Sequence, residues 1–246
     1  MTTSAVRELT PTGKMRVGIN FGNTVLVRKD ASGAPCGIAP DLARELALRL
    51  GVSMEFIIYD AAGRMSDGAK ADAWDVAFLA ADPDRAGEIT FSSPYLEIDS
   101  TYLVPCESPF QSPSEVDRDG VRIALSDRSA YDLFLSRNLK RAQIVRAPGP
   151  PASVELFFRE KLDALAGIRP MLVDVVRLHP ETRILEGRFS TVHQAIGTPR
   201  GRDEAAQYVD EFVAAIIDSG FVAETLKKNG IVGATVATRP YGRNIR

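Results

Sequence analysis

The sequence predicts an α/β protein of two lobes, each a mainly parallel β-sheet flanked by helices. Strand and helix patterns alternate as strand–helix–strand–helix–strand, and this series occurs twice in succession. Two extended stretches, at residues 100–105 and 192–198, lie near the ends of the second series. If both cross between the lobes, the chain returns to the first lobe and a two-strand hinge joins the halves.

The first series begins with alternating residues at 15–20, typical of a strand. Short strands are predicted at 25–28 and 36–38, around the turn-forming cluster at 30–33. A helix is predicted over residues 40–51, with Pro40 in its first turn and Gly51 at its C-terminal end. A strand at 54–59, a helix at 62–71 and a buried strand at 75–80 complete the series.

The second series has predicted strands at 121–125, 143–146 and 163–167 and predicted helices at 129–137, 151–160 and 169–178. The tail then carries apolar residues on one face of a helix, which predicts core packing. These are Tyr208, Val209, Phe212, Val213, Ile216 and Ile217. We therefore predict one lobe from residues 1–100 plus 198–246 and the other from residues 101–197.

Composition limits the class of protein. The 246 residues are 45% hydrophobic and 25% charged, with a net charge of −2, which disfavours nucleic-acid binding. No apolar stretch is long enough to approach a membrane span. The N-terminus lacks the apolar run that is typical of an intact secretory signal. Either a signal was removed or the protein is cytoplasmic. Cys36 and Cys106 are expected to be unpaired thiols.

No pattern in the sequence indicates an enzyme. There is no nucleophile elbow, phosphate loop or dinucleotide fingerprint, and no His or Cys pair has metal-site spacing. The two histidines, His179 and His193, stand alone in their segments and are interpreted as structural or surface residues. No catalytic residue, cofactor or metal is predicted.

Several short motifs, in order, resemble the family-3 extracellular solute-binding proteins. They are the opening at residues 13–18, the segment 37–43, Ala73-Trp74-Asp75-Val76, the stretch 82–86 followed by Ile89-Thr90-Phe91-Ser92-Ser93-Pro94-Tyr95, and Lys161-Leu162-Asp163-Ala164. The resemblance covers nearly all of the chain. It implies a periplasmic-binding-protein-like (type II) fold whose lobes close over a small solute delivered to an ABC importer.

The resemblance also implies site residues. Arg85 stands where the family clamps the ligand carboxylate, for which a guanidinium offers a matching planar fork. The alternative is a surface salt bridge from Arg85 to Asp84 or Glu88. Ser129 stands where the family places a second-lobe hydroxyl, although it could equally be a helix N-cap.

The departures from the family pattern concern the ligand's ammonium group. Ile168, followed by Arg169, occupies the place of the family's ammonium-binding Asp, while Asn23 replaces an aromatic residue and Ala80 a hydroxyl. Arg169 would either bind a second anionic group of the ligand or face solvent. The candidate ligand-binding residues are Asn20, Phe21, Asn23, Phe78, Ala80, Arg85, Ser129 and Arg169.

The resulting hypothesis is a monomeric binding protein for a carboxylate-bearing solute without an obligatory α-ammonium. An ABC permease would be its partner, in the periplasm by resemblance. Two alternatives remain open: a lyase or dehydratase on the same fold, and a cytoplasmic ligand sensor.

Overall fold

The computed structural model describes residues 3–238. The first part of the chain supplies three helices and six strands, in chain order. They are α1 Thr3–Leu9, β1 Met15–Asn20, β2 Arg28–Lys29, β3 Pro35–Cys36, α2 Ile38–Leu50, β4 Met54–Tyr59, α3 Ala62–Lys70, β5 Val76–Ala80 and β6 Ile89–Phe91. A short 3₁₀ helix over Pro83–Arg85 lies between β5 and β6.

The remainder begins with a long strand and ends with two helices and a short strand. Its elements are β7 Leu96–Pro105, β8 Arg122–Ser126, α4 Ala130–Asn138, β9 Gln143–Ala147, α5 Pro150–Arg159, β10 Ala164–Ile168, α6 Arg169–Leu178, β11 Thr182–Ile184, β12 Ser190–Pro199, α7 Asp203–Asp218, α8 Phe221–Lys228 and β13 Ala234–Val236. A second 3₁₀ helix spans Pro113–Glu115.

The strands form two parallel sets joined through an antiparallel centre. The order along the sheet is β4-β1-β5-β12-β7-β10-β8-β9. β1 pairs in parallel with β4 and β5, and β8 pairs in parallel with β9 and β10. The predicted fold, with a mainly parallel sheet in each of two domains, is therefore confirmed.

β7 and β12 are the two long strands that connect the sets. The first half of β7 pairs with β12 and its second half with β10. In the same way, β12 pairs first with β7 and then with β5. The two extended stretches predicted at residues 100–105 and 192–198 lie within β7 and β12, and each strand is longer than the predicted stretch.

Helix α2 shows why the first series folds as predicted. Its buried residues Leu42, Leu46 and Leu50 recur every four residues, so they line one face against the core. Gly51 ends the helix in the left-handed conformation, with φ of 64°, which a glycine adopts without steric cost. Burial of each leucine contributes roughly 1.5–3 kcal/mol.

Most predicted elements occur within a residue or two of their expected bounds, and the tail helix buries its apolar face as expected. The hairpin around residues 30–33 is a correction, since only Arg28–Lys29 and Pro35–Cys36 pair there. Sequence periodicity did not reveal α1, β6, β11 or β13, because three or seven residues are too few to show a pattern.

The lobe boundaries at residues 100 and 198 stay predictions, and residues 1–2 and 239–246 of the predicted first lobe lie outside the described residues. Cys36 and Cys106 are both unpaired, as expected. Within residues 3–238, none of the helices has the length and apolar character to cross a membrane.

Candidate functional site

A cavity lies where the carboxyl ends of β1, β5 and β10 approach the start of α4. Its volume is about 60 Å³, and its lining includes Asn20, Ala80 and Ile168 from these strand ends, together with Ser129. Ligands of open α/β sheets bind outside the carboxyl ends of the strands. This volume is the space open to the centres of water-sized spheres, of which a single water needs roughly 10–15 Å³. The cavity therefore suits a small molecule.

Arg85 is the cationic side chain of this cavity. It ends the 3₁₀ helix that follows β5, and Asp82 caps that helix by accepting a hydrogen bond from the Asp84 N–H at 2.9 Å. The Arg85 side chain is only 4% exposed. Its Nη1 donates to the Ala80 carbonyl at 2.8 Å and its Nη2 to the Arg128 carbonyl at 2.9 Å.

No acidic side chain forms an ion pair with Arg85 among the described residues. Asp84 pairs with Arg137 at 2.6 Å and Glu88 with Lys70 at 3.3 Å, so the alternative of an Arg85 surface salt bridge is wrong. Burial lowers the pKa of Arg85 to about 10, with Asp82 partly opposing the shift. A buried guanidinium without a carboxylate is the arrangement that an anionic ligand would complete.

Ser129 and Tyr131 line the opposite side of the cavity, at the start of α4. The Ser129 hydroxyl accepts a hydrogen bond from the Asp132 N–H at 3.1 Å, which confirms the predicted N-cap. Burial raises the pKa of Tyr131 to about 12, and the nearby Ser126 and Ser129 oppose the shift. Although its hydroxyl lies near these serines, it makes no hydrogen bond of good geometry.

Two amide side chains of the lining carry oxygens without a hydrogen-bond partner in the described part of the chain. These are Asn23 Oδ1, in the loop after β1, and Gln194 Oε1, on β12. Buried acceptors of this kind cost about 1–3 kcal/mol when unsatisfied. Both oxygens have almost no accessible surface, so neither is open to a ligand in this structure.

The rest of the lining is largely apolar and, within residues 3–238, holds no acidic side chain. Apolar members include Leu26, Met65, Phe78, Ile168, Met171 and Val192. Ile168, which the resemblance predicts to stand at the family's ammonium-binding position, is 8% exposed. Nor does any group of three or more His, Cys, Asp or Glu side chains in the described residues form a metal site.

The structure brings six of the eight candidate residues to the cavity and places two elsewhere. Those at the cavity are Asn20, Asn23, Phe78, Ala80, Arg85 and Ser129. The Phe21 ring lies under the Lys29 ammonium, 5.0 Å from its centroid. Arg169 begins α6, and its side chain donates to the Gly187 carbonyl. Ile168 and Met171 line the cavity instead. Successive residues of a helix point about 100° apart, so Arg169 points in a different direction from Met171.

Sequence reasoning missed Gln194, Tyr131 and Ser126. Gln194 is a polar residue directly before the apolar run Ala195-Ile196 of a crossing strand, a signal that could have indicated a cavity position. Tyr131 lies two residues after the predicted Ser129 and is 5% exposed. Nothing in the sequence distinguishes it from an ordinary core tyrosine.

The fold, and the cavity at the carboxyl ends of strands from both parallel sets, define a two-domain binding-protein architecture. The profile of the bacterial extracellular solute-binding proteins, family 3, matches residues 15–230. The chain belongs to this family.

Known relatives include both an enzyme and binding proteins. The chain is 26% identical over 237 residues to a cyclohexadienyl dehydratase of Pseudomonas aeruginosa, covering 91% of this chain and 85% of that protein. A solute receptor for L-cysteine of Neisseria gonorrhoeae superposes with a TM-score of 0.79 at 18% identity, covering 93% of each chain. The ancestral amino acid-binding protein AncCDT-1, a precursor of cyclohexadienyl dehydratase, has a TM-score of 0.77 at 20% identity, covering 91% and 98%.

Proposed function

We propose that this protein binds a small carboxylate-bearing solute that lacks an α-ammonium group. The observation that carries the proposal is Arg85, a buried guanidinium at the cavity with no carboxylate partner among the described residues. Its two hydrogen bonds to backbone carbonyls fix the planar group and use two of its five N–H donors. The remaining donors match a carboxylate.

The described part of the lining has no acidic side chain, which argues against an amino acid as ligand. A buried ammonium without an anionic partner costs several kcal/mol. Ile168 and Met171 provide only apolar contacts where such a partner is needed, and the lining's sole formal charge within residues 3–238 is that of Arg85. The charge of the cavity therefore complements a monoanion better than a zwitterion.

The family supports a transport role. Its members are extracellular solute-binding proteins, so we infer that this chain captures its solute outside the cytoplasm and presents it to an ABC permease as a monomer. β7 and β12 would act as the hinge. A ligand that contacts both lobes stabilises the closed state by its difference in affinity for the two states.

The relative from Pseudomonas aeruginosa makes a dehydratase the second candidate. Dehydration requires a group that transfers a proton near neutral pH. The cavity lining has no carboxyl, imidazole, thiol or amine in the described residues, and the pKa of Tyr131 is raised to about 12. Binding without turnover is therefore the better supported function.

Native mass spectrometry of the protein as purified, followed by calorimetric titration with organic acids and standard amino acids, tests the proposal. We expect organic acids to bind and ordinary α-amino acids to bind far more weakly. Tight binding of an α-amino acid would contradict the proposed ligand class. Turnover of a cyclohexadienyl substrate would contradict the binding-only role.

The variant Ile168→Asp sharpens this test. A carboxylate at position 168 supplies the missing ammonium partner, so we expect the ratio of amino-acid to organic-acid affinity to rise by at least about tenfold. The matched control is Val173→Asp, which adds the same charge to the partly exposed face of α6. An unchanged ratio in Ile168→Asp would show that position 168 does not face the ligand's α-substituent.

A further inference from the structure

The side-chain amide of Asn20 is held in one orientation at the end of β1. Its Oδ1 accepts a hydrogen bond from the Gly22 N–H at 2.8 Å, which leaves Nδ2 on the other branch of the amide. Within residues 3–238, Nδ2 donates to no partner and, unlike the amide oxygens of Asn23 and Gln194, it is not sealed within the protein. Because Asn20 is 8% exposed and lines the cavity, this nitrogen is a donor open to a ligand.

Other side chains of the lining add donors. The amide nitrogens of Asn23 and Gln194 form no hydrogen bond with any described residue, and both residues line the cavity. Arg85 keeps further N–H groups beyond the two that bond backbone carbonyls. The cavity therefore holds neutral amide donors in addition to the guanidinium that suits a carboxylate, and a ligand with a second acceptor would satisfy them.

The charges of the lining decide which kind of second acceptor fits. Arg85 is its sole formal charge in the described residues, so a second carboxylate would be buried without a counter-charge. A hydroxyl accepts a hydrogen bond but also carries a proton. The amide oxygens offer that proton no acceptor, because Gly22 occupies Asn20 Oδ1 and those of Asn23 and Gln194 are sealed. A ketone oxygen accepts without a charge or a proton of its own.

The size of the cavity limits the rest of the ligand. Its volume of about 60 Å³ gives room for roughly four to six water-sized groups. Ile168, Met171 and Val192 provide apolar contacts for a short alkyl group. An acid of three or four carbons suits this space, and in a three-carbon acid a ketone lies on the carbon next to the carboxylate.

We propose that the cavity selects small 2-oxo carboxylates and that Asn20 is the specificity-determining residue that donates to the keto oxygen. This inference rests on the proposed carboxylate-binding function and deepens it. The carboxylate accepts from the Arg85 guanidinium, the keto oxygen accepts from Asn20 Nδ2, and the alkyl group contacts the apolar lining. An acid without the ketone leaves the amide donor unsatisfied.

Calorimetric titration with pyruvate, propionate, lactate and alanine tests the proposal, because these three-carbon acids differ only in the substituent next to the carboxylate. We expect pyruvate to bind at least about tenfold more tightly than propionate. Lactate should bind more weakly than pyruvate, and alanine more weakly than lactate. The pair 2-oxobutyrate and butyrate repeats the comparison with one more carbon.

The variant Asn20→Asp keeps the size of the side chain and an acceptor for Gly22, but it replaces the donor with a carboxylate oxygen. The new charge weakens both acids, so the measurement is the affinity ratio of pyruvate to propionate, which should fall to about one or below. Asn20→Leu removes the donor without adding a charge and should lower the ratio in the same way.

The matched control is Asn138→Asp, since Asn138 is exposed at the end of α4 and donates to the Phe134 carbonyl at 2.7 Å. It should leave the ratio unchanged. Circular dichroism verifies that all the variants fold.

The outcomes separate the two proposals. Equal binding of pyruvate and propionate by the unaltered protein, binding of lactate as tight as that of pyruvate, or an unchanged ratio in either Asn20 variant would overturn this inference while leaving carboxylate binding intact. Tightest binding of alanine, or no binding of any of these acids, would overturn the proposed function and this inference together.

Discussion

At the scale of single residues, the site depends on a cation that the fold keeps buried. Arg85 is held by two backbone carbonyls, one from the end of β5 and one from Arg128 just before α4. Arg128 has a left-handed backbone with φ of 53°, an uncommon conformation for a residue with a side chain. Because the two carbonyls come from segments on opposite sides of the cavity, Arg85 both contacts the ligand site and joins its walls.

The variant Arg85→Lys keeps the charge and removes the planar fork. We expect carboxylate affinity to fall by about 10- to 100-fold, because an ammonium cannot bond two carbonyls and a bidentate carboxylate with the same geometry. Titration with the acids that bind the unaltered protein measures the loss. Arg200→Lys is the control, since exposed Arg200 also bonds a backbone carbonyl, that of Ala86 at 2.7 Å. Equal losses in both variants would contradict the role of Arg85.

At the scale of elements, ion pairs connect α4 and its preceding turn to the first lobe's helices. Arg137 of α4 bonds both oxygens of Asp82, at 2.9 and 2.8 Å, and so reaches the cap of the 3₁₀ helix that carries Arg85. Arg128 likewise bonds both oxygens of Asp67 on α3, at 2.8 and 2.7 Å. These pairs hold together the elements on either side of the cavity.

We expect Arg137→Gln to favour an open arrangement of the ligand-free protein. Partly exposed pairs contribute up to about 1 kcal/mol each, so the ligand affinity should fall only several-fold through a smaller closed population. Small-angle X-ray scattering should give a larger radius of gyration for the ligand-free variant than for the unaltered protein. The control Arg64→Gln breaks an exposed pair with Asp60 at the start of α3. If both variants keep the original radius, the ion pairs do not control closure.

At the scale of the whole molecule, Asp75 joins segments that are distant in the chain. Its carboxylate is fully buried and accepts hydrogen bonds from the Arg16 N–H and Nη2, both at 2.8 Å, and from Arg202 Nη1 at 2.7 Å. Arg202 precedes α7 and also donates to the Glu8 carbonyl of α1 at 2.9 Å. The cluster therefore fastens the returning tail to β1 and β5, and Asp75 holds the pKa of Arg16 above its usual value.

Asp75→Asn should destabilise the protein without altering the cavity. Without the buried carboxylate, the two partly buried arginines keep only the exposed Asp72 as counter-charge, which is expected to lower the free energy of unfolding by about 3 kcal/mol, as measured by urea denaturation. Asp72→Asn is a close control, because Asp72 pairs with the same two arginines but is 65% exposed. Its effect should stay under about 1 kcal/mol. Similar losses in the two variants would show that burial is not the cause.

Local patterns account for most of the predicted architecture. The apolar period of α2, with its terminal Gly51, and the alternation of β1 are properties of short segments, so they can be recognised without knowledge of the fold. The Asp82-Pro83 cap before Arg85 and the Ser129 cap of α4 are equally local. Short strands such as β6 and β13 could not be predicted, because their pairing with β12 and β7 depends on distant segments.

The sequence by itself determined the two α/β halves, the crossing strands and the arginine after β5. Only the tertiary structure decided that Arg85 has no carboxylate partner in the described residues, that Ile168 lines the cavity while Arg169 does not, and that Gln194 joins the site. The physical reason is that hydrophobic period and capping act over a few residues. Burial and charge pairing depend instead on side chains that meet only after the two parallel sets of strands have joined through β7 and β12.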